Sequence, residues 1–330
     1  MRLILHPGHA KCGSTSIQKS IIVNRKLLES NGFIIPDPQM RIRGDKGFNP
    51  NGETPRPFFR KMMEERDTSE LEAKLKRISN RAKKNNKTVL ISAENLVNGL
   101  SNRVGESIHR LLASYFSDIQ VLYYIKPIDS FLLSAWQQWG YKNGKQFDEF
   151  VDNAIRAGNP NYKIAADTFS AIYGDNSLDV ILLETNFLHG GNLLEDFYTR
   201  IGVDFSKTND SESRSNISLN PHLCSILSRS PHLFENAHDE SVKEHILNMA
   251  GKNSLAFKKS QGFISREIIQ KIKNRFDSDG KYLVENYLPD ASVNDVVVQP
   301  STLEAAPLGD NEEIKQMLAI QMELMLKLAK

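Results

Sequence analysis

The sequence predicts an α/β fold with a central, mainly parallel sheet flanked by helices, and three observations carry that prediction. Short apolar runs alternate with longer amphipathic ones along the chain. Most of the runs are rich in β-branched or aromatic residues, as buried parallel strands are. The first run opens directly into a glycine-bounded turn, and a helical pattern begins where that turn ends.

Strands are expected over 2–6 (Arg-Leu-Ile-Leu-His), 33–35, 88–92, 119–125 and 179–183. From Ser14 to Ser30, Ile17, Ile21, Leu27 and Leu28 recur near helical spacing, with Gly32 just past the end, where a left-handed residue is expected. Leu71, Leu75, Ile78 and Ala82 mark a second helix, whose other face carries Lys74, Lys76, Arg77, Arg81, Lys83 and Lys84 and reads as a solvated face. Leu111 with Leu112, and Phe131, Leu132 and Ala135, mark two more. The segment 36–57 differs: it holds Pro36, Pro38, Pro50 and Pro55 and turns around Gly44, Gly47, Asn49 and Gly52. Loops of that length are often lids or binding loops. The organisation expected is one domain over 1–298, a linker over 299–311 and an amphipathic helix over 312–330. Ile314, Met317, Leu318, Met322, Met325 and Leu328 form the apolar side of that helix. Docking on its own domain is the first reading; a homo-oligomer, another partner or a membrane surface is the alternative.

Composition bounds the function. The 330 residues carry a formal charge of +2, with 40% apolar and 25% charged side chains, which is ordinary for a globular protein with a real core. A dedicated nucleic-acid binder would show a basic excess. No run approaches the ~18 apolar residues of a spanning helix. The opening Met-Arg-Leu-Ile-Leu-His-Pro-Gly is too short an apolar stretch for a signal peptide. The two cysteines, Cys12 and Cys224, make neither a disulfide framework nor a zinc site of ordinary spacing. A cytoplasmic protein without a metal is expected.

The chemistry is concentrated in Leu5-His6-Pro7-Gly8-His9-Ala10-Lys11-Cys12-Gly13-Ser14-Thr15-Ser16. A strand, a turn and a helix N-terminus in that order present backbone N–H groups and a positive dipole end to one anion. Gly8 and Gly13 let the backbone approach closely, and Ser14 and Thr15 add hydroxyls. These glycines have the spacing of the nucleoside-triphosphate loop G-x-x-x-x-G-K-[ST], so a P-loop-type three-layer fold is expected. Residue 14 is Ser rather than Lys, and the loop lysine has moved to Lys11, inside the turn. A lysine there sits nearer the first phosphate and the group attached to it, which fits a shorter 5′ group than a triphosphate. No Asp or Glu directly ends the strand 119–125, so an obvious magnesium ligand is missing there.

At this point the sequence resembles the sulfotransferases that use 3′-phosphoadenosine 5′-phosphosulfate (PAPS), in particular their bacterial carbohydrate-type branch. The resemblance runs over roughly residues 1 to 290 and is carried chiefly by His6 through Gln18. It implies that Gly8, Lys11, Cys12, Gly13, Ser14, Thr15 and Ser16 hold the 5′-phosphosulfate, with Lys11 stabilising the bridging oxygen as sulfate leaves. Cys12 stands where Thr or Ser is usual. The family's 3′-phosphate clamp, a basic residue followed eight positions on by serine, is matched by Lys126 and Ser134, with Lys in place of the more common Arg.

Sulfuryl transfer also needs a base. Glu94, just past the strand 88–92 and on the same sheet edge as the loop, is the favoured candidate, with His9 and His6 as rivals. The catalytic set is therefore Lys11, Glu94 and His9. The resemblance implies PAPS as co-substrate, 3′,5′-adenosine bisphosphate (PAP) as product, no metal, and a glycan or glycolipid hydroxyl as acceptor. The rings of Trp136 and Trp139 can pack in a core or stack on a sugar; with the 36–57 loop they are the expected acceptor side. A small-molecule kinase using Mg-ATP and a non-catalytic nucleotide-binding module are the competing readings.

Overall fold

The computed structural model describes residues 1–98, 100, 103–209, 217–260, 262–305 and 309–328. β1 (Arg2–His6) leads through the turn 7–13 to α1 (Ser14–Val23), α2 (Arg25–Ser30) and β2 (Phe33–Ile34). A long loop is followed by α3 (Arg56–Glu65), α4 (Ser69–Lys84), β3 (Thr88–Ser92), α5 (Asn95–Asn98), α6 (Arg103–Tyr115) and β4 (Asp118–Ile125). Next come α7 (Ile128–Ala135), α8 (Phe147–Ala157), α9 (Tyr162–Tyr173), β5 (Leu178–Leu182) and α10 (Leu193–Arg200). The described chain closes with α11 (Pro221–Leu227), α12 (Ser241–Ala250), α13 (Arg266–Tyr287), α14 (Val293–Val297), α15 (Pro300–Glu304) and α16 (Asp310–Leu328). Among the described residues no helix is long and apolar enough to cross a membrane. Contacts divide the chain into two compact units: Met1–Lys126 with Tyr162–Ser213, and Pro127–Asn161 with Arg214–Lys330.

The first unit holds the sheet, whose five strands are all parallel in the order β2-β3-β1-β4-β5. Consecutive residues such as Leu3–Ile4–Leu5, Val89–Leu90–Ile91 and Val121 through Ile125 are all buried, so both sheet faces are covered. α6 packs against α4 and α9, α4 packs on β3 and α9 on β4 and β5, while α1 packs on α10. The single helix expected over 14–30 is two helices. At Asn24 the side-chain amide donates to the Ser20 carbonyl (3.1 Å) and its Oδ1 accepts from the N–H of Asn209 (2.8 Å), a local competition that interrupts a helix.

Parallel register brings the carboxyl ends of the strands to one edge. His6 pairs with Ser92 on β3, and Leu5 with Val121 on β4. β4 then continues beside β5 as far as the pair Ile125–Leu182. Lys126 thus stands about 13 Å farther along the strand direction than His6, at ~3.3 Å per residue.

The loop 36–57 is built around two acidic anchors. The Asp37 side chain is wholly buried and accepts from the N–H groups of Gln39, Arg41 and Asn49 and from Arg41 Nε, all at 2.9–3.0 Å. Burial alone would raise its pKa, but these donors together hold it below the ordinary carboxylate value. Asp45 accepts from the Ile42 N–H (2.6 Å) and from Arg77, while Arg81 donates to the Arg43 carbonyl (2.8 Å). Part of the basic face of α4 therefore secures this loop rather than only facing water. Asp37→Ala is expected to leave three backbone donors unsatisfied and to cost about 1–3 kcal/mol in urea unfolding. Because the Asp37 pKa is lowered on folding, its contribution is present above the unfolded-state value of ~4 and is lost as pH falls through the folded one. The wild type should lose more stability on acidification than the variant.

The second unit is helical among its described residues. α7 runs on into a wide turn at Trp136–Gly140, where Trp136 is wholly buried. Its indole donates to the Lys145 carbonyl (2.8 Å) and its ring stacks on Phe263 at 5.6 Å. This corrects the expectation that Trp136 offers an acceptor-stacking face: the ring is core. Trp139 is half-buried, with an enclosed indole N–H that finds no acceptor among the described residues. Within 299–311, where the sequence reads as linker, α15 forms and Thr302 donates to Asp129 (2.7 Å), so this part is docked; residues 306–308 lie outside the described residues.

Candidate active site

The turn between β1 and α1 is held in shape by three left-handed residues, Gly8 (φ 61°), Lys11 (φ 63°) and Gly13 (φ 79°). Glycine is required at both ends. A Cβ on Gly8 would lie 2.8 Å from Ser14 Oγ and 2.9 Å from the Cα of Glu94, and one on Gly13 would lie 2.3 Å from Leu193 Cδ2. Lys11 adopts the same conformation with a side chain, the kind of local strain that gathers at functional sites. The His9 carbonyl closes the turn by accepting from the Cys12 N–H (3.2 Å) and from the Ser14 hydroxyl (2.9 Å).

These bonds sort the expected ligands. The Cys12 N–H and the Ser14 hydroxyl proton are spent inside the turn. The Cys12 thiol is buried 3.8 Å from the Tyr162 hydroxyl, and burial pushes its pKa up to about 12, so it is a neutral core group. An α-helix has no internal acceptor for its first N–H groups, which here belong to Ser14 and Thr15. These, the exposed Thr15 hydroxyl, the half-buried Ser16 and the Lys11 ammonium make the anion-binding capacity. α10, which carries Leu193 over Gly13, is anchored through Asp196. That buried carboxylate accepts from Tyr124 Oη (2.7 Å), His189 Nδ1 (2.6 Å) and Arg200 Nε (2.7 Å).

Glu94 is brought against the turn by the β1–β3 pairing. The Ala93 N–H donates to the His6 carbonyl (3.0 Å), and the Glu94 Cα then lies under Gly8. Burial raises the Glu94 pKa above the ordinary value, while the positive charges of Arg56 and Lys11 pull it down. Arg56 Nη1 stands 3.9 Å from the Glu94 carboxylate, and the Asn95 side-chain amide ties the Arg56 carbonyl to the same corner (3.2 Å). Sequence reasoning missed Arg56. It sits at the end of the long loop with no motif spacing to mark it, and only Pro55 before it signals a helix start.

Both histidines turn inward. His6 is wholly buried, with Nδ1 2.8 Å from Ser92 Oγ, and burial lowers its pKa to about 3, so it is neutral. The His9 ring is buried edge-on to Tyr162 (4.9 Å between centroids) and near Tyr123, with Nδ1 3.2 Å from the Ala10 carbonyl. Lys126 is half-buried just past β4, its N–H donating to Tyr162 Oη (3.4 Å). Lys126 belongs to the first unit and Ser134, half-buried on α7, to the second. The structure thus gathers Gly8, Lys11, Gly13, Ser14 and Glu94 at one corner of the first unit. Among the described residues there is no cluster of three His, Cys, Asp or Glu side chains placed to hold a metal ion.

No protein-family model, curated protein or solved structure is found to match this chain.

Proposed function

We propose that this chain is a PAPS-dependent sulfotransferase that acts on a hydroxyl of a carbohydrate or glycolipid. One observation carries the reading: a lysine held left-handed in a helix-N-terminal turn faces the field of a carboxylate whose acidity burial has weakened. An anion-binding cradle beside a strengthened base is what transfer to a hydroxyl needs. PAPS supplies the sulfuryl group and its 5′-phosphate leaving group. The glycines let the turn pack closely, since a Cβ at Gly8 would meet Ser14 and Glu94 and one at Gly13 would meet Leu193.

In this reading Lys11 and the first N–H groups of α1 balance the charge that grows on the leaving phosphate oxygen. Glu94 takes the acceptor hydroxyl proton as the acceptor oxygen bonds to sulfur and the bond from sulfur to the phosphate oxygen breaks. The positive charge of Arg56 opposes the effect of burial and favours the ionised form of Glu94. Lys126 meets the ribose 3′-phosphate beyond the carboxyl end of β4. The inward-facing rings of His6 and His9 favour Glu94 as the base. The carbohydrate acceptor rests on the family resemblance, and the buried Trp136 contributes nothing to it.

PAP at ~100 times its Kd should add about 2.7 kcal/mol of stability, read as a raised melting temperature. No shift with PAP, or a shift with Mg-ATP alone, would end this reading in favour of a kinase or an unrelated anion site. Transfer of labelled sulfate from PAPS to a glycan library then distinguishes an enzyme from a binding module.

A further inference from the structure

The anion cradle and the carboxylate beside it are built on one another. The point where a Cβ of Gly8 would stand lies 2.8 Å from Ser14 Oγ and 2.9 Å from the Glu94 Cα, so the first turn of α1 and the backbone of Glu94 meet across one glycine. The Ala93 N–H on the His6 carbonyl (3.0 Å) fixes this approach. The Glu94 side chain keeps 24% of its surface exposed, enough to exchange a proton with solvent. Among the described residues two positive charges act on it, Arg56 from α3 and Lys11 from the turn. The neighbouring Cys12 and His6 add no charge, since burial pushes the thiol up to about 12 and the imidazole down to about 3. Lys11 therefore serves two anions, this carboxylate and the group that the turn holds.

We propose that the donor switches on its own base: an anion seated at the start of α1 makes Glu94 a stronger base, and protonation of Glu94 tightens the hold on that anion. The inference rests on the sulfotransferase reading of the site and deepens it. A phosphate or phosphosulfate in the turn takes up the Lys11 charge and adds negative charge of its own beside Glu94. Both changes favour the protonated carboxyl. Partial burial of the carboxylate strengthens the effect, because screening by water is reduced there. Linkage makes the coupling mutual. The factor by which the anion raises the proton affinity of Glu94 is the factor by which the proton raises the anion affinity, typically roughly 5–150-fold between coupled sites. The consequence is an order of events. Without donor, Arg56 and Lys11 hold Glu94 as a weaker base. An acceptor hydroxyl meets the stronger base only when the sulfuryl group is in place to receive its oxygen.

Calorimetric titration of the full chain with PAP, in two buffers of different ionisation enthalpy, reads the protons taken up on binding. A scan between about pH 5 and 8 covers a carboxyl raised above its ordinary ~4.3. The wild type should take up more protons than Glu94→Gln, which records only the titration of the PAP phosphates and of the groups both proteins share. At the upper end of the scan Glu94→Gln should bind PAP roughly 5–150-fold more tightly than the wild type. The difference should shrink in acid, where the wild-type carboxyl is already protonated. Glu94→Ala should follow Glu94→Gln, because the charge and not the shape is being read. Equal proton uptake and equal affinity in the wild type and both variants overturn the coupling and leave PAP binding, and with it the sulfotransferase reading, in place. If PAP binds none of the three proteins, that reading falls and the coupling falls with it.

Discussion

Lys11→Ala should lower turnover by roughly 10²–10³, the usual cost of removing one preorganised charge from a developing oxyanion. The loss should fall on kcat, because the ammonium acts most strongly where charge appears as the sulfur–oxygen bond breaks. Lys11→Gly separates this from a folding defect. Glycine adopts the φ of 63° at this position without strain, so this variant should melt no lower than the wild type and still lose turnover. Lys126→Ala should behave differently, raising the KM for PAPS and weakening PAP binding with a smaller change in kcat. Steady-state kinetics with PAP titration checks both. If Lys11→Gly retains turnover, the turn is not the site of sulfuryl transfer.

Glu94→Gln should lower kcat/KM by roughly 10²–10⁴, the range ascribed to a general base. Activity needs the ionised carboxylate, and burial raises its pKa, so the acid limb of the pH profile should lie above the ordinary carboxylate value of ~4.3. Arg56→Ala removes a positive charge that opposes this rise and should move the limb to higher pH without abolishing activity. A structural role for Arg56 would lower activity without moving the limb. The sign for stability is opposite to that of Asp37. A raised carboxyl pKa favours the fold below the unfolded value, and that contribution is lost as pH rises through the folded one. Glu94→Gln should therefore melt higher than the wild type at neutral pH, with the difference shrinking in acid. An active Glu94→Gln enzyme, or a limb at the ordinary value, would remove Glu94 from the mechanism.

The two anchors of the candidate site were legible to different degrees. The turn was readable because its requirements are local: a strand, two glycines at fixed spacing, a lysine and a helix start within a dozen residues. Glu94 was readable as a strand-end carboxylate, since parallel strands bring such ends to one edge. Its partner Arg56 was not, because the ion pair joins the end of a long loop to a different strand, and no periodicity links them. The spent donors at Cys12 and Ser14 were equally hidden. Each depends on where the His9 carbonyl points, which follows from the left-handed residues in the turn. Trp136 shows the limit of residue type as a signal, because an indole suited to stacking on a sugar is equally suited to packing on Phe263.

By itself the sequence determined the alternation of strands and helices and the glycine-bounded turn between β1 and α1. Those features are short-range, and hydrophobic periodicity with glycine placement encodes them directly. The tertiary structure alone decided that Glu94 is a weakened acid beside Arg56 and Lys11, that both loop-end histidines turn inward, and that α16 docks on α11 and α12 with Ile320 buried. Burial and partner choice depend on which segments meet across the fold, and spacing along one chain does not specify those meetings.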